Sequence, residues 1–275
     1  MPELPEVETI RAGLEPHLLG QKITGITVLR PSQLRDISPE ELSTQLIGKT
    51  INRLSRRGKY LLFYCSSELI LVVHLRMTGQ LLYYSAGKPA MVHTRLIISL
   101  EPPAELHFHD VRALGQITLL NSKQLSNWRP LLLLGPEPLG PDFTLEYFQQ
   151  SLACRRAPIK NILLGQRIVA GLGNIYTDEA LFKAGINPLR PANMLSEAQV
   201  QILWTAIRQT LTTAVADGGT TIRDYLNSSG ISGSFQRRLQ VYGRKGQKCR
   251  HCGSELVGCR LAGRSTVYCP HCQPL

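Results

Sequence analysis

Four cysteines near the end of the chain constrain its fold more than any other feature. They read Cys249-x2-Cys252-x16-Cys269-x2-Cys272. Two C-x-x-C knuckles at this separation suit a closed, tetrahedral four-thiolate site for one structural Zn2+. The surrounding segment is too short to enclose an apolar core, so metal binding is expected to supply its folding energy. Five of the seven cysteines fall in the last 27 residues. That crowding is unlike a disulfide framework and points to a reducing compartment. Cys259 lies between the knuckles and is not needed as a ligand. Cys65, in an apolar run, and Cys154, beside a helix end, read as buried or partly buried thiols. Between the knuckles, R-L-A-G-R-S-T-V-Y reads as a β-hairpin turning at Ala262-Gly263, with Arg264 near its tip. Such an arginine either grips a phosphate or is simply solvated.

Charge adds to this. The chain carries +11 over 275 residues. From Thr220 to Leu275 there are nine Lys/Arg against Asp224 and Glu255, so this tail holds +7 of the +11. A basic stretch around a metal ribbon makes nucleic acid the leading partner class. No apolar run approaches the roughly 18 residues a membrane helix needs, and no signal-peptide pattern opens the chain. The expectation is a cytoplasmic protein with no membrane partner.

The remaining chain divides by pattern. Leu4, Val7, Ile10, Leu14 and Leu18 recur at helical steps, so Pro2–Leu19 reads as an amphipathic helix ended by Gly20, with Pro16 a blemish. Short β-rich runs follow at Ile23–Leu29, Thr50–Ser55, Tyr60–Cys65, Leu69–Leu75, Gln80–Tyr84, Arg95–Leu100, Glu105–His109 and Gln116–Leu120. Their punctuation by Gly and Pro suits a β-sandwich or barrel-like domain. Ser38–Leu46 carries a Ser-x-x-Glu capping box. Leu131–Asp142, rich in Pro and Gly, reads as a linker. Helices are then expected over Thr144–Leu152, Pro158–Leu164, Asn174–Ala184 and Ser196–Asp217. The fold class is α+β. A helix and β-sandwich domain spans 1–130, a linker 131–142, a helical domain 143–240, and a zinc-finger hairpin 241–275.

Several short motifs carry possible chemistry. M-P-E-L-P-E-V-E-T opens the chain. If Met1 is clipped, Pro2 presents a secondary amine with a pKa near about 8, able to attack an aldehyde-like carbon. The plain alternative is a proline starting a helix, with Glu3 and Glu6 complementing the dipole. Lys160 precedes a glycine-containing turn, Gly165 to Gly173, in which Asn174 would cap the next helix and expose an anion site. His74-Leu75-Arg76-Met77-Thr78-Gly79 ends an apolar strand, with His74 read as structural. Asp110-Val111-Arg112-Ala113-Leu114-Gly115 offers an Arg and an apolar side chain on a loop. That pairing suits either a wedge in a base stack or an ordinary turn.

Together these residues resemble the formamidopyrimidine-DNA glycosylase, or MutM, family of bacterial base-excision enzymes. The resemblance rests on P-E-L-P-E-V-E-T at 2–9, R-R-G-K-Y-L-L at 56–62, H-L-R-M-T-G at 74–79, L-G-P-E-P-L at 134–139, V-A-G-L-G-N-I-Y at 169–176, and the finger with G-R-S-T-V-Y-C-P-x-C-Q at 263–273. It covers essentially the whole chain. It implies a two-domain clamp on damaged double-stranded DNA, with a helix–two-turn–helix domain carrying the finger, acting as a monomer. The implied reaction is excision of 8-oxoguanine and formamidopyrimidines, followed by β,δ-elimination at the abasic site.

The resemblance also implies residue roles. Pro2 is the nucleophile and Glu3 the proton shuttle. Lys59 matches a lysine linked to β-elimination, and Arg264 a finger arginine linked to δ-elimination. His93, Arg112, Lys160 and Asn174 match DNA-contacting positions, with Arg155 and Arg156 as further candidates. Tyr225–Phe235 corresponds to the loop that covers a flipped base. Met77, Arg112 and Leu114 match the residues that fill the gap it leaves. Leu114 replaces the usual Phe and cannot stack on a base. Gly165 stands where Asp or Asn is frequent, and Arg95 where an acid is frequent. The rivals are an endonuclease VIII-type glycosylase preferring oxidised pyrimidines and a non-catalytic zinc-finger DNA-binding protein.

Overall fold

The computed structural model describes residues 1–85, 87–221 and 233–275. The chain forms two compact units. The first is Met1–Leu132 with Asp217–Ser234; the second is Leu133–Ala216 with Phe235–Leu275.

In the first unit, helix α1 runs Leu4–Leu18. Its apolar positions Val7, Ile10, Leu14 and Leu18 are all fully buried, as their three- and four-residue spacing demands. Helix α2, Pro39–Leu46, begins at the capping box of Ser38 and Glu41. Strands β1 (Lys22–Val28), β7 (Thr94–Glu101), β8 (Ala104–Asp110) and β6 (Gly79–Tyr84) form a four-stranded antiparallel sheet in that order. A second sheet has the order β2 (Leu34–Arg35), β9 (Gln116–Asn121), β5 (Leu69–His74), β4 (Tyr60–Cys65), β3 (Ile51–Arg57). In β7, Thr94, Leu96, Ile98 and Leu100 alternate inward. In β4 both faces are covered. Leu61 and Phe63 join the core beneath α1, while Leu62 packs with Ile70, Val72 and Trp128. That second face is closed by α3 (Ser122–Ser126) and α4 (Arg129–Leu132). These two helices and β2 are too short to show a period in sequence.

The second unit is helical. It contains α5 (Leu145–Ala153), α6 (Ile159–Leu164), α7 (Asn174–Lys183) and α8 (Glu197–Ala216). Thr144 caps α5 through its hydroxyl, and Ser196 with Gln199 boxes the start of α8. Of residues 131–142, expected as a linker, those from 133 on are bonded into this unit. Gly135 N–H donates to Gln166 O at 2.8 Å, and Ala170 N–H to Pro136 O at 3.0 Å. A Cβ on Gly135 would lie 2.4 Å from the carbonyl carbon of Ile168, so only glycine fits there. The finger hairpin pairs β10 (Val257–Leu261) with β11 (Arg264–Tyr268) around Ala262-Gly263. Its own apolar core is small: Val241, Leu256 and Val267 with two of the cysteines.

Candidate functional site

The N-terminal motif folds differently from its plain helix-start reading. Glu3, not Pro2, is the N-cap of α1, and Pro5 takes the early helical position that suits proline. Pro2 lies outside the helix and is buried. Glu3 is 2% exposed and Glu6 1%. The Glu6 carboxylate has two backbone partners. Oε2 accepts the Glu3 N–H at 2.7 Å and Oε1 accepts the Thr220 N–H at 2.7 Å. Gly219, at φ +80, lets the chain pass that carboxylate; a Cβ there would meet Glu6 Oε1 at 2.8 Å. Glu6 therefore holds the helix start, and Glu3, the acid that follows Pro2 in the chain, accepts the Glu6 N–H to complete the capping box.

Lys59 follows Gly58 in the β3–β4 turn and is 7% exposed. Its charge, with that of Arg76, acts on His74, the residue paired with Tyr60 across β4 and β5. Burial first, then Arg76 and Lys59, press the His74 pKa down to about 3. Nδ1 of His74 accepts the Arg76 N–H at 3.0 Å. It is a neutral structural histidine, as its place in an apolar strand suggests. Burial likewise pushes the Cys65 thiol up to about 11. Cys154, expected to be at least partly buried, is exposed because it ends α5 at the surface.

The two loops with wedge candidates sit in the same unit and touch. Arg112 Nη1 lies 2.9 Å from Met77 Sδ. Leu114 is 42% exposed and Arg112 is exposed. His93 is exposed, at φ 75. The unexpected Arg95 holds this region together. Its Nε donates to Asp110 O at 2.8 Å, and its Nη2 approaches His93 Nδ1 at 3.2 Å. The charge reversal at this position thus serves carbonyl groups and a histidine.

In the second unit, the α6–α7 turn is organised by Gln166, which sequence reasoning passed over. At φ 61, its Oε1 accepts the Gly171 N–H at 2.8 Å and its Nε2 donates to Leu172 O. Gly165 ends α6 at φ −67, an ordinary helical value that any residue can adopt. Asn174 was expected to cap α7; the N-cap is Gly173, and Asn174 is the first helical residue. Its Nδ2 donates to Ser265 O at 2.8 Å.

Lys160 is expected at the DNA; the structure places it beneath the finger hairpin. It is fully buried, with Nζ 2.6 Å from Asp178 Oδ1 and 3.0 Å from Ser265 O. Asp178 Oδ2 accepts the Val267 N–H at 3.2 Å. Lys160, Asp178 and Asn174 thus grip β11 immediately after Arg264, which is exposed. Arg155 and Arg156 are exposed at the end of α5. Glu179, next on α7, accepts the N–H groups of Gln240, Val241 and Tyr242 at 2.8 to 2.9 Å. Of the expected lesion-covering segment, Tyr225–Phe235, residues 225–232 lie outside the described residues, and Phe235 is buried in the helical core.

The four knuckle cysteines converge. Their sulfurs all lie within 4.8 Å of one another. Cys252 and Cys269 are 3.4 Å apart and Cys249 and Cys272 4.0 Å. Tetrahedral Zn–S bonds of about 2.3 Å place sulfurs about 3.8 Å apart, so the set fits one zinc ion. His251 N–H points at Cys249 Sγ and Cys272 N–H at Cys269 Sγ, both at 3.4 Å, as donors to thiolates do. The ion's role here is structural: it closes the finger.

Three family models match in order. The formamidopyrimidine-DNA glycosylase N-terminal domain matches residues 1–117. The H2TH domain of the same enzyme matches 134–225, and a zinc finger found in FPG and IleRS matches 246–275. A formamidopyrimidine-DNA glycosylase from Carboxydothermus hydrogenoformans is 45% identical over 99% of this chain and all of its own. Among solved structures, a mutant Lactococcus lactis FPG in complex with a Fapy-dG containing DNA superposes with a TM-score of 0.94, at 39% identity over all of both chains. The wild-type Lactococcus lactis protein with an oxidised-pyrimidine containing DNA gives 0.93 at 39% identity over all of both chains.

Proposed function

We propose, for a chain that belongs to the formamidopyrimidine-DNA glycosylase family, that base excision runs through the nitrogen of Pro2. The chain is a base-excision repair enzyme, a DNA glycosylase with AP lyase activity directed at oxidised purines, and it carries one structural zinc. The residue roles are our reading. The observation that carries it is that Pro2 stands outside α1 and is buried, and that the residue following it, Glu3, is a buried acid.

With Met1 removed, the Pro2 lone pair bonds to sugar C1′. The glycosidic electron pair leaves with the base, which takes a proton delivered through Glu3. The amine gives up its own proton, the C1′–O4′ bond breaks with O4′ taking a proton to become a hydroxyl, and an iminium remains between the Pro2 nitrogen and C1′. That positive charge acidifies the C2′ proton. Its removal expels the 3′ phosphate, and a second elimination expels the 5′ phosphate. Lys59 assists the first elimination. Arg264 grips phosphate and assists the second.

Damaged double-stranded DNA is the partner, as in the complexes of the Lactococcus protein. Met77, Arg112 and Leu114 fill the gap left by the flipped base, whose unstacking costs a few kcal/mol. His93, Asn174, Arg155 and Arg156 offer further contacts. The chain acts as a monomer, since one copy carries both the amine and the finger. Lactococcus FPG was also solved with oxidised-pyrimidine DNA. Cleavage of 8-oxoguanine opposite C against thymine glycol opposite A ranks the two lesion classes, with the purine expected to be faster.

Borohydride trapping on abasic DNA tests the nucleophile. A covalent adduct is expected from protein whose N-terminus, by mass spectrometry, is Pro2. Pro2→Gly should weaken it, and Glu3→Gln should slow base release more than trapping. No adduct from protein with a verified Pro2 terminus would overturn the assignment.

A further inference from the structure

Met77, Arg112 and Leu114 are held by a residue that none of the assignments above uses. Asp110 ends β8 and is fully buried. Its Oδ2 accepts the Gly115 N–H at 2.7 Å and the Gln33 Nε2 at 2.8 Å. Its Oδ1 accepts the Thr78 hydroxyl. Thr78 Oγ in turn accepts the Arg112 N–H at 3.0 Å. One carboxylate thus fixes the residue after Met77, the residue after Leu114, and, through Thr78, the backbone of Arg112. Its main chain adds His93: the Asp110 N–H donates to His93 O at 3.0 Å.

The surroundings admit little else. A Cβ on Gly115 would lie 2.4 Å from Phe108 Cζ and 3.1 Å from Asp110 Oδ2. A Cβ on Gly79 would lie 2.4 Å from Leu75 O. Both loops therefore pass where only glycine fits, and they meet at the carboxylate.

We infer that Asp110 is a positioning residue that locks the 77–79 and 112–115 loops into one rigid wedge for opening the base stack. This rests on the reading of Met77, Arg112 and Leu114 as gap fillers. The physical need is plain. Those side chains stand at or near the surface and must push against a stacked duplex, so their footing has to be stiff. A carboxylate suits the site because all three incoming groups are donors. Asparagine would turn an NH2 toward one of them and strand it.

The test separates base flipping from chemistry. Single-turnover excision of 8-oxoguanine from a duplex needs the wedge; borohydride trapping on a single-stranded abasic site does not. Asp110→Asn should slow duplex excision by about tenfold or more, with trapping changed less than about twofold. The rise in fluorescence of 2-aminopurine placed beside the lesion should slow in parallel. Thr78→Val should act in the same direction, and Thr78→Ser should restore the wild-type rate. Equal loss in both assays, in Asp110→Asn and in Thr78→Val, would mean only that the fold is damaged and would overturn the inference. So would unchanged duplex excision in both variants. The Met77→Ala, Arg112→Ala, Leu114→Ala triple variant tells the two readings apart. If it excises at the normal rate, the wedge itself is wrong. If it is slow while Asp110→Asn is normal, only the positioning role fails.

Discussion

The Thr220 N–H donates to Glu6 Oε1 at 2.7 Å while the other oxygen of the same carboxylate accepts the Glu3 N–H. One buried side chain joins the start of α1 to a residue 214 positions away. Glu6→Gln keeps the shape but turns an NH2 toward one N–H donor. The expected cost is about 1–3 kcal/mol, the penalty of a stranded buried donor. Thermal unfolding should record it as a lower Tm. Slower trapping on abasic DNA should accompany it, because the backbone of Glu3 loses its anchor.

The Lys160–Asp178 pair predicts a finger phenotype. Both side chains are buried, and both also bind β11. Lys160→Met leaves Asp178 buried without its cation, at a cost of about 3–5 kcal/mol. Because the lost contacts lie next to Arg264, the δ-elimination product should fall relative to the β product. Gel analysis of the cleaved 5′-labelled strand's ends reads that ratio directly.

Acid should destabilise the N-terminal unit through His74. Its folded pKa, about 3, lies below the ordinary value of 6.5. The unfolded chain therefore takes up a proton that the folded chain refuses. The stability this contributes is complete above about pH 6.5 and is lost as pH falls toward 3, by at most about 1.4 kcal/mol per pH unit. His74→Asn can retain an acceptor for the Arg76 N–H. A flatter urea-midpoint profile between pH 6.5 and 4 is the expected result.

Zinc removal should unfold the finger and spare the sandwich. The finger has only a small apolar core of its own, so chelation should unfold it and abolish DNA binding. The sandwich core buries Leu14, Phe63, Ile98 and Phe108 without any metal ligand, and should keep its far-UV signal.

DNA affinity should fall steeply with salt, since phosphate contacts by a chain of charge +11 release counterions. A plot of log affinity against log salt measures the slope. Arg155→Ala or Arg156→Ala should lower its magnitude by about one if that residue meets a phosphate.

What was legible in sequence had a period or a fixed chemistry. Leu4 to Leu18 gave α1 by spacing, Ser38 and Glu41 gave α2 by its cap, and the knuckles gave the metal site. Tyr60–Cys65 was placed to the residue. Long-range polar pairing was hidden. Nothing local tells that Lys160 is buried against Asp178, that Gln166 folds back on Gly171, or that Asp110 collects three donors from three segments. Exposure was also out of reach: Cys154 closes an amphipathic helix two residues after the buried Leu152 yet faces solvent. The helix start was off by two residues, because Glu3 and Pro5 compete with Pro2 for the same role and win.

Adjacent carboxylates on α7 point the finger's fate back into the helices. Asp178 holds β11, and Glu179 holds three successive amides at Gln240, Val241 and Tyr242. Those amides should exchange with deuterium only when α7 itself opens, even though they precede the first zinc ligand. Finger and helices then form one cooperative unit, and the slowest exchanging protons near the metal report the stability of α7.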